Sequence, residues 1–348
     1  MKKFDKTILD AIGNTDIVKL NKLSAHVDSE IYVKLEFTNP GGSVKDRIGY
    51  WMCKRAAEEG ILKPGAPIIE ATSGNTGVGI AMYAAVHGHQ AIFVMADKQS
   101  QEKVDNLKSF GAKVITCPTS VEPEDPRSYY SVAKALSEIP GSCYLDQYSN
   151  PFNRETHYVT TGPEIFEQTN GEFDIFMASV GTGGTISGTT KYLKEKMPNL
   201  KTVGVDCHGS ILAHYHKTGE MGEAHSYALE GMGEDFLPEN VVFDLIDDFV
   251  IVGDKESFLM TRELLTKEGI YAGGSCGAAV LGAIRYAEKL DEPKKILVML
   301  ADSGNRYAGK IYNDAWMIEN GYMEKPEMDE LDKTIKNIVE PSGVKYDK

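Results

Sequence analysis

From Pro67 the chain reads PIIEATSGNTGVGIAMYAAVHG: a short apolar run, a glycine-rich turn, then a helical pattern. QAIFVMAD (Gln90 to Asp97) is a second apolar run. SQEKVDNLKSFG is a second helical stretch that stops at Gly111, and AKVITCPT is a third apolar run. A β-α-β-α-β order with short connections implies parallel pairing, with helices covering the sheet. The alternation restarts at FDIFMASV (Phe173 to Val180) and runs through GTGGTISG, the helical TTKYLKEKM and TVGVD. It closes with the amphipathic ESFLMTRELLTKEG and GAAVLGAIRYAEKL and the strand KKILVMLAD (Lys294 to Asp302). The reading is an α/β protein of two units dividing near Asn150–Asn153, with a polar, loosely held tail from about Glu324.

With 348 residues, 42% hydrophobic and 25% charged, the chain has material for a sizeable core. A formal net charge of −14 gives no electrostatic footprint for nucleic acid and repels an acidic membrane surface. No run of about 18 apolar residues suggests a membrane span, and MKKFDKTILD lacks the apolar core of a signal peptide. The five cysteines are widely spaced and never form C-x-x-C, which argues against a disulfide framework and fits a reducing cytoplasm.

Glycine-rich turns recur where ligands of open α/β sheets bind, outside the carboxyl ends of strands. SVGTGGT (Ser179 to Thr185) follows a strand and opens a helix, so its backbone N–H groups and the hydroxyls of Thr182 and Thr185 suit a phosphate. The alternative is a tight strand-to-helix turn without a ligand. A dinucleotide fingerprint is only partly met: Gly181 and Gly183 fit, Ile186 stands at the third glycine, and Asp206 ends the next strand. ATSGNTG (Ala71 to Gly77) crowds Thr72, Ser73, Asn75 and Thr76 at another helix start, which suits a carboxylate; capping explains one or two such residues, not four. GGSCG (Gly273 to Gly277) precedes a third helix. NPGGSVKDR (Asn39 to Arg47) places Lys45 just after two glycines; the bland reading of a lone lysine is a solvated surface. A lysine for a Schiff base, a phosphate cradle and a small-acid cradle together suggest pyridoxal phosphate.

NPGGSVKDR, TSGNTG, SVGTGGT and GGS-x-G, in that order, resemble the cysteine synthase and cystathionine β-synthase family of pyridoxal-phosphate enzymes, over about Leu9 to Tyr322. EPEDPRSYYSVAKAL with DQYSNPFN, GVDCHGSIL and RYAGKIYNDAWMIENGY are similar to the catalytic core of the cystathionine β-synthase branch; TGPEI (Thr161 to Ile165) is shared with cysteine synthases. The resemblance implies two doubly wound open twisted-sheet domains of the tryptophan-synthase-β type. Residues 41–150 would hold a mobile part, 1–40 plus 151–323 the second domain, and 324–348 the tail. It also implies a homodimer acting on small amino-acid and thiol substrates.

Carried over by motif, Lys45 would form the Schiff base and then act as base at the substrate α-carbon. Asn75 would bond the ring hydroxyl oxygen, Gly181, Thr182, Gly183, Gly184 and Thr185 the phosphate, and Ser275 would face the pyridine nitrogen. Thr72, Ser73, Thr76 and Gln147 would hold the substrate carboxylate, with Gly74 giving it room. A serine at the ring nitrogen favours α,β-elimination to an aminoacrylate over transamination, followed by addition of a thiol: β-replacement on serine, O-acetylserine or cysteine. Asn75 to Thr116 is expected to close over the carboxylate and exclude water. Asp46 and Arg47 are given no catalytic role.

The chain departs from the family in EGMGEDFLP (Glu230 to Pro238). Cystathionine β-synthases typically carry a tyrosine where Glu234 stands, and cysteine synthases a small residue. A carboxylate at Glu234 or Asp235 is expected to select the second substrate, which counts against homocysteine as the partner and makes cysteine, giving lanthionine and sulfide, or sulfide itself credible; the bland reading is a solvated acid. No heme-binding extension and no paired regulatory domains are expected. His214-x-His216 in HGSILAHYH is weak as a metal site, and the stretch reads as a loop near the cleft. The competing readings are a cysteine synthase, a cysteine-consuming sulfide producer, a nicotinamide dehydrogenase built on Gly181 to Asp206, and a non-enzymatic binder.

Overall fold

The computed structural model describes residues 6–122, 124–342 and 346. The first five residues of the N-terminal stretch, Pro123 and most of the last six residues of the tail lie outside that set. The larger sheet runs β1 (Ile17–Lys19), β2 (Glu30–Leu35), β10 (Lys295–Leu300), β7 (Ile175–Ser179), β8 (Lys201–Cys207), β9 (Asp248–Val252). Only β1 pairs antiparallel. The smaller sheet is all parallel: β5 (Lys113–Cys117), β4 (Ala91–Ala96), β3 (Ile68–Ala71), β6 (Cys143–Tyr144). β3 and β4 are buried along their whole length, which explains their unbroken apolar text and makes Glu70 of β3 an exception.

Helices cover the smaller sheet: α1 (Lys45–Glu58), α2 (Asn75–His87), α3 (Gln101–Ser109) and α4 (Tyr129–Ser137). Around the larger lie α5 (Pro151–Val159), α6 (Thr161–Thr169), α7 (Gly184–Lys196), α8 (Leu212–Thr218), α9 (Asp254–Glu268), α10 (Gly274–Ala287) and α11 (Asp314–Glu319). Two glycines decide where Lys45 sits. A Cβ on Gly49 of α1 would lie 2.5 Å from the Gly79 carbonyl carbon of α2, and one on Gly79 would lie 2.8 Å from the Lys45 carbonyl oxygen. The two helix backbones therefore touch, which brings the first turns of α1 and α2 side by side.

A buried ion cluster anchors the other side of α1. Arg47 meets Glu36 at 2.7 Å and Glu164 of α6 at 2.9 Å; the fully buried Lys34 meets Glu164 at 2.5 Å. Burial pushes the Glu36 carboxyl up, but the Arg47 charge and its hydrogen bonds outweigh this and hold it at about 2.

Some expectations are corrected. His214 and His216 lie on α8, not in a loop, and His216 Nε2 meets the Ile246 carbonyl at 2.8 Å. That helix spans only seven residues, too few for a helical period to show in the sequence. The tail is not featureless: α12 (Glu330–Val339) is capped by Asp329, whose side chain accepts the Asp332 N–H at 2.8 Å. Among the described residues no helix is long and apolar enough to cross a membrane, and no group of three or more His, Cys, Asp or Glu gathers to hold a metal.

Candidate active site

The turn before α1, the β3–α2 turn, the β7–α7 turn and the N-terminus of α10 converge on one cavity of about 860 Å³. It lies at the carboxyl ends of the strands of both sheets. Every residue proposed from the sequence lines it except Gly74 and Gly184. Gly74 sits at φ +119° with Lys103 packed over it, so the backbone conformation by itself requires a glycine there.

Lys45 opens α1 and is half-buried on the cavity wall. Burial pushes its amine down to about 8, against the opposing charges of Glu234 and Asp302, and among the described residues no hydrogen bond or ion pair offsets that burial. An amine so placed is neutral in a large fraction near pH 8. A solvated lysine has neither property, so the bland reading fails.

The cradle is formed by Gly181 to Thr185. Gly183 has φ +85°, and a Cβ there would lie 2.4 Å from Val241 Cγ2. The first turn of α7 points its N–H groups at the cavity, where the helix dipole adds positive potential. Both threonine hydroxyls are backed by buried groups that the sequence did not single out. Asn153 Nδ2 donates to Thr182 Oγ1 at 3.1 Å, and His157 Nε2 meets Thr185 Oγ1 at 3.2 Å. His157 Nδ1 meets Thr161 Oγ1 at 2.8 Å. Burial, then the charges of Lys45 and Arg47, push the His157 imidazole well below its usual value, so it is neutral.

In the β3–α2 turn, Thr72 Oγ1 accepts the Gly74 N–H at 3.0 Å, so capping does account for Thr72 in part. Thr76 Oγ1 donates to Gln147 Oε1 at 2.6 Å, and Gln147 Nε2 donates to the Ala71 carbonyl at 2.7 Å, leaving one N–H free. Asn75 Nδ2 donates to Asp302 Oδ2 at 2.8 Å, its Oδ1 accepts from Arg306, and Tyr307 donates to the same Asp302 oxygen at 2.7 Å. Asp302 was legible only as a strand end; its place under Asn75 is set by β10. Ser275 is buried in the first turn of α10, and its carbonyl accepts Ser179 Oγ at 2.8 Å.

At the mouth, Glu234 is half-buried among Tyr129, Tyr130, Tyr148 and Tyr227, while Asp235 is exposed. Burial and the Asp235 charge push the Glu234 carboxyl up to about 8. The HGSIL stretch holds it: Ser210 Oγ accepts the Glu234 N–H at 3.1 Å, and the Ile211 N–H donates to the Glu234 carbonyl at 3.1 Å. The dinucleotide alternative loses its acid. Asp206 is buried and accepts the Cys207 and Ala213 N–H groups at 2.9 and 2.8 Å, outside the cavity lining.

The donor set fits pyridoxal phosphate. Neutral hydroxyls, first-turn N–H groups and a dipole end surround the cradle, a partly neutral amine stands within reach of the same space, and the volume suits a cofactor with an amino acid. Fold and site together define an enzyme that works on amino acids through a phosphate-anchored aldehyde cofactor.

Residues 8–302 match the family described as "Pyridoxal-phosphate dependent enzyme". The chain belongs to the pyridoxal-phosphate dependent enzymes. It is 44% identical over 347 residues to a cystathionine beta-synthase of Dictyostelium discoideum, covering 97% of this chain and 69% of that protein. Among solved structures it is similar to an O-acetylserine dependent cystathionine beta-synthase from Helicobacter pylori, with TM-score 0.83 and 37% identity over 90% of this chain and 100% of that one. It is also similar to a hydrogen sulfide-producing enzyme from Fusobacterium nucleatum, with TM-score 0.80 and 38% identity over 87% of this chain and 100% of that one.

Proposed function

We propose that this chain catalyses β-replacement: serine, O-acetylserine or cysteine loses its β-substituent and gains a sulfur nucleophile at the same carbon. The observation that carries the reading is Lys45, an unpaired amine held near neutrality in a cavity shared by a phosphate cradle, a carboxylate turn and the uncharged Ser275. The cystathionine beta-synthases it resembles support it. Bound here, pyridoxal phosphate supplies an aldehyde that links to amines and a ring that withdraws electrons from the α-carbon.

The protein's residues supply the rest. Lys45 Nζ is fit to hold the cofactor covalently and to take a proton from the α-carbon. Thr72, Ser73, Thr76 and Gln147 bind and orient the carboxylate, so the bonds at the α-carbon meet Lys45 in one geometry. Ser275 would offer the ring nitrogen only a hydroxyl, a weak partner for a protonated ring, so loss of a β-substituent would be favoured over transamination. Closure of residues 75–116 excludes water. We further read the chain as a cytoplasmic homodimer; five free, buried cysteines support a reducing compartment, and the two separate sheets support domains of 41–150 and 1–40 plus 151–323.

A second reading, consumption of cysteine with release of sulfide, is favoured by Glu234. Its carboxyl at about 8 can hold or release a proton beside an incoming thiol. The deciding experiment mixes the enzyme with serine, O-acetylserine or cysteine, each against homocysteine, cysteine and sulfide, and weighs the products. No β-substituted amino acid from any pair, with a cofactor absorbance unchanged in Lys45→Ala, would sink the reading. Unchanged relative rates in a Glu234→Ala, Asp235→Ala double variant would remove the selecting role of those acids.

A further inference from the structure

One buried side chain joins the two anion sites. Asn153, near the start of α5, donates through Nδ2 to the Gln147 carbonyl at 2.7 Å and to Thr182 Oγ1 at 3.1 Å. Those bonds use both hydrogens of its amide. Its Oδ1 has no hydrogen-bond partner among the described residues and lies against Gly184, where an added Cβ would meet it at 1.8 Å. A buried amide that leaves its oxygen unpaired while donating twice is oriented by its two acceptors. Because Thr182 Oγ1 accepts from Asn153, its own hydrogen points elsewhere, and the cavity it lines lies open to it. Asn240 supports the same Gln147 carbonyl at 3.0 Å and the Tyr148 carbonyl at 2.9 Å, but makes no hydrogen bond to the cradle.

We propose that Asn153 is a positioning residue that couples the phosphate cradle to the carboxylate turn. It sets Thr182 as a donor and fixes Gln147 relative to it, so occupying the carboxylate turn alters the phosphate contact. This rests on the functional reading above. Rigid coupling of this kind favours a substrate that presents carboxylate and α-carbon together, since the cofactor and the amino acid are registered through one amide.

The test is the ³¹P resonance of the holoenzyme with and without L-alanine, which carries the carboxylate and ammonium but no β-leaving group. In the unsubstituted protein L-alanine is expected to move the resonance. In Asn153→Asp and Asn153→Ser, L-alanine affinity and cofactor retention on dialysis should each weaken ~5–10-fold. The resonance should no longer respond to saturating L-alanine. Asn240→Ala should weaken L-alanine binding while the response persists, which separates coupling from mere support of Gln147. Thr182→Val, which leaves Asn153 in place, should also abolish the response and carries the test if the aspartate variant does not fold. A response that survives in the Asn153 variants, vanishes equally in Asn240→Ala, or is absent from the unsubstituted protein overturns the coupling alone. No bound-phosphate resonance in the unsubstituted protein overturns the functional reading itself.

Discussion

Asp46 follows Lys45 and is fully buried. Its Oδ2 accepts the Gly41 N–H at 2.6 Å, and its Oδ1 has no hydrogen-bond partner among the described residues. Burial pushes the carboxyl from 3.8 up to about 7, against the Gly41 N–H and the Arg306 charge. The folded protein therefore holds this proton more tightly than the unfolded chain. The stability so contributed is complete below 3.8 and is lost as pH rises through the folded value near 7. From pH 5 to that value spans about two pH units, or ~2.7 kcal/mol at ~1.36 kcal/mol each. At ~2.1 cal/mol/K per residue, this size of chain should lose ~4 °C of melting midpoint over that range on account of Asp46. The assay compares cofactor-free wild type and Asp46→Asn by circular dichroism at pH 5 and pH 8 and equal ionic strength. Other acids titrate in both proteins and cancel, so the midpoint of wild type relative to Asp46→Asn should fall by that amount. A difference that does not change with pH would mean Asp46 is ionised in the folded state.

In cofactor-free protein, modification of Lys45 by an amine-selective reagent should rise with a midpoint near pH 8, because the neutral form gains above the depressed value; peptide mapping against Lys45→Ala reads it. Gly183→Ala forces a methyl to within 2.5 Å of the Val241 backbone nitrogen at a φ of +85°, so the turn must shift, and cofactor retention should weaken at least ~10-fold by equilibrium dialysis. Glu230 bridges Lys103 of α3 at 2.5 Å and Lys310 at 2.8 Å; Glu230→Gln leaves both lysines without that carboxylate and should speed hydrogen exchange across residues 101–117, consistent with loss of up to ~3 kcal/mol. Unchanged exchange there would show that the bridge does not hold α3 against the larger sheet.

The glycine-rich turns were readable because their signal is local. An apolar strand followed by glycine, hydroxyl residues and a helical period is contained in about ten residues, and the backbone N–H groups such a turn presents do not depend on distant packing. Asn75 and Thr182 belong to turns of this kind, and Lys45 and Ser275 follow glycine pairs just as local, so sequence alone marked out the segments that meet at the cavity. Tertiary structure decided what surrounds them. Asp302 beneath Asn75, His157 behind Thr185 and Asn153 between Thr182 and Gln147 come from elements remote in the chain, and their value lies in distances that no local pattern encodes. The same holds for β1 and β6, three and two residues long, too short to read as strands until their neighbours in the two sheets supply hydrogen-bond partners. The near-neutral lysine and the half-neutral Glu234 are also products of packing, because burial, which only the folded chain creates, moves their protons.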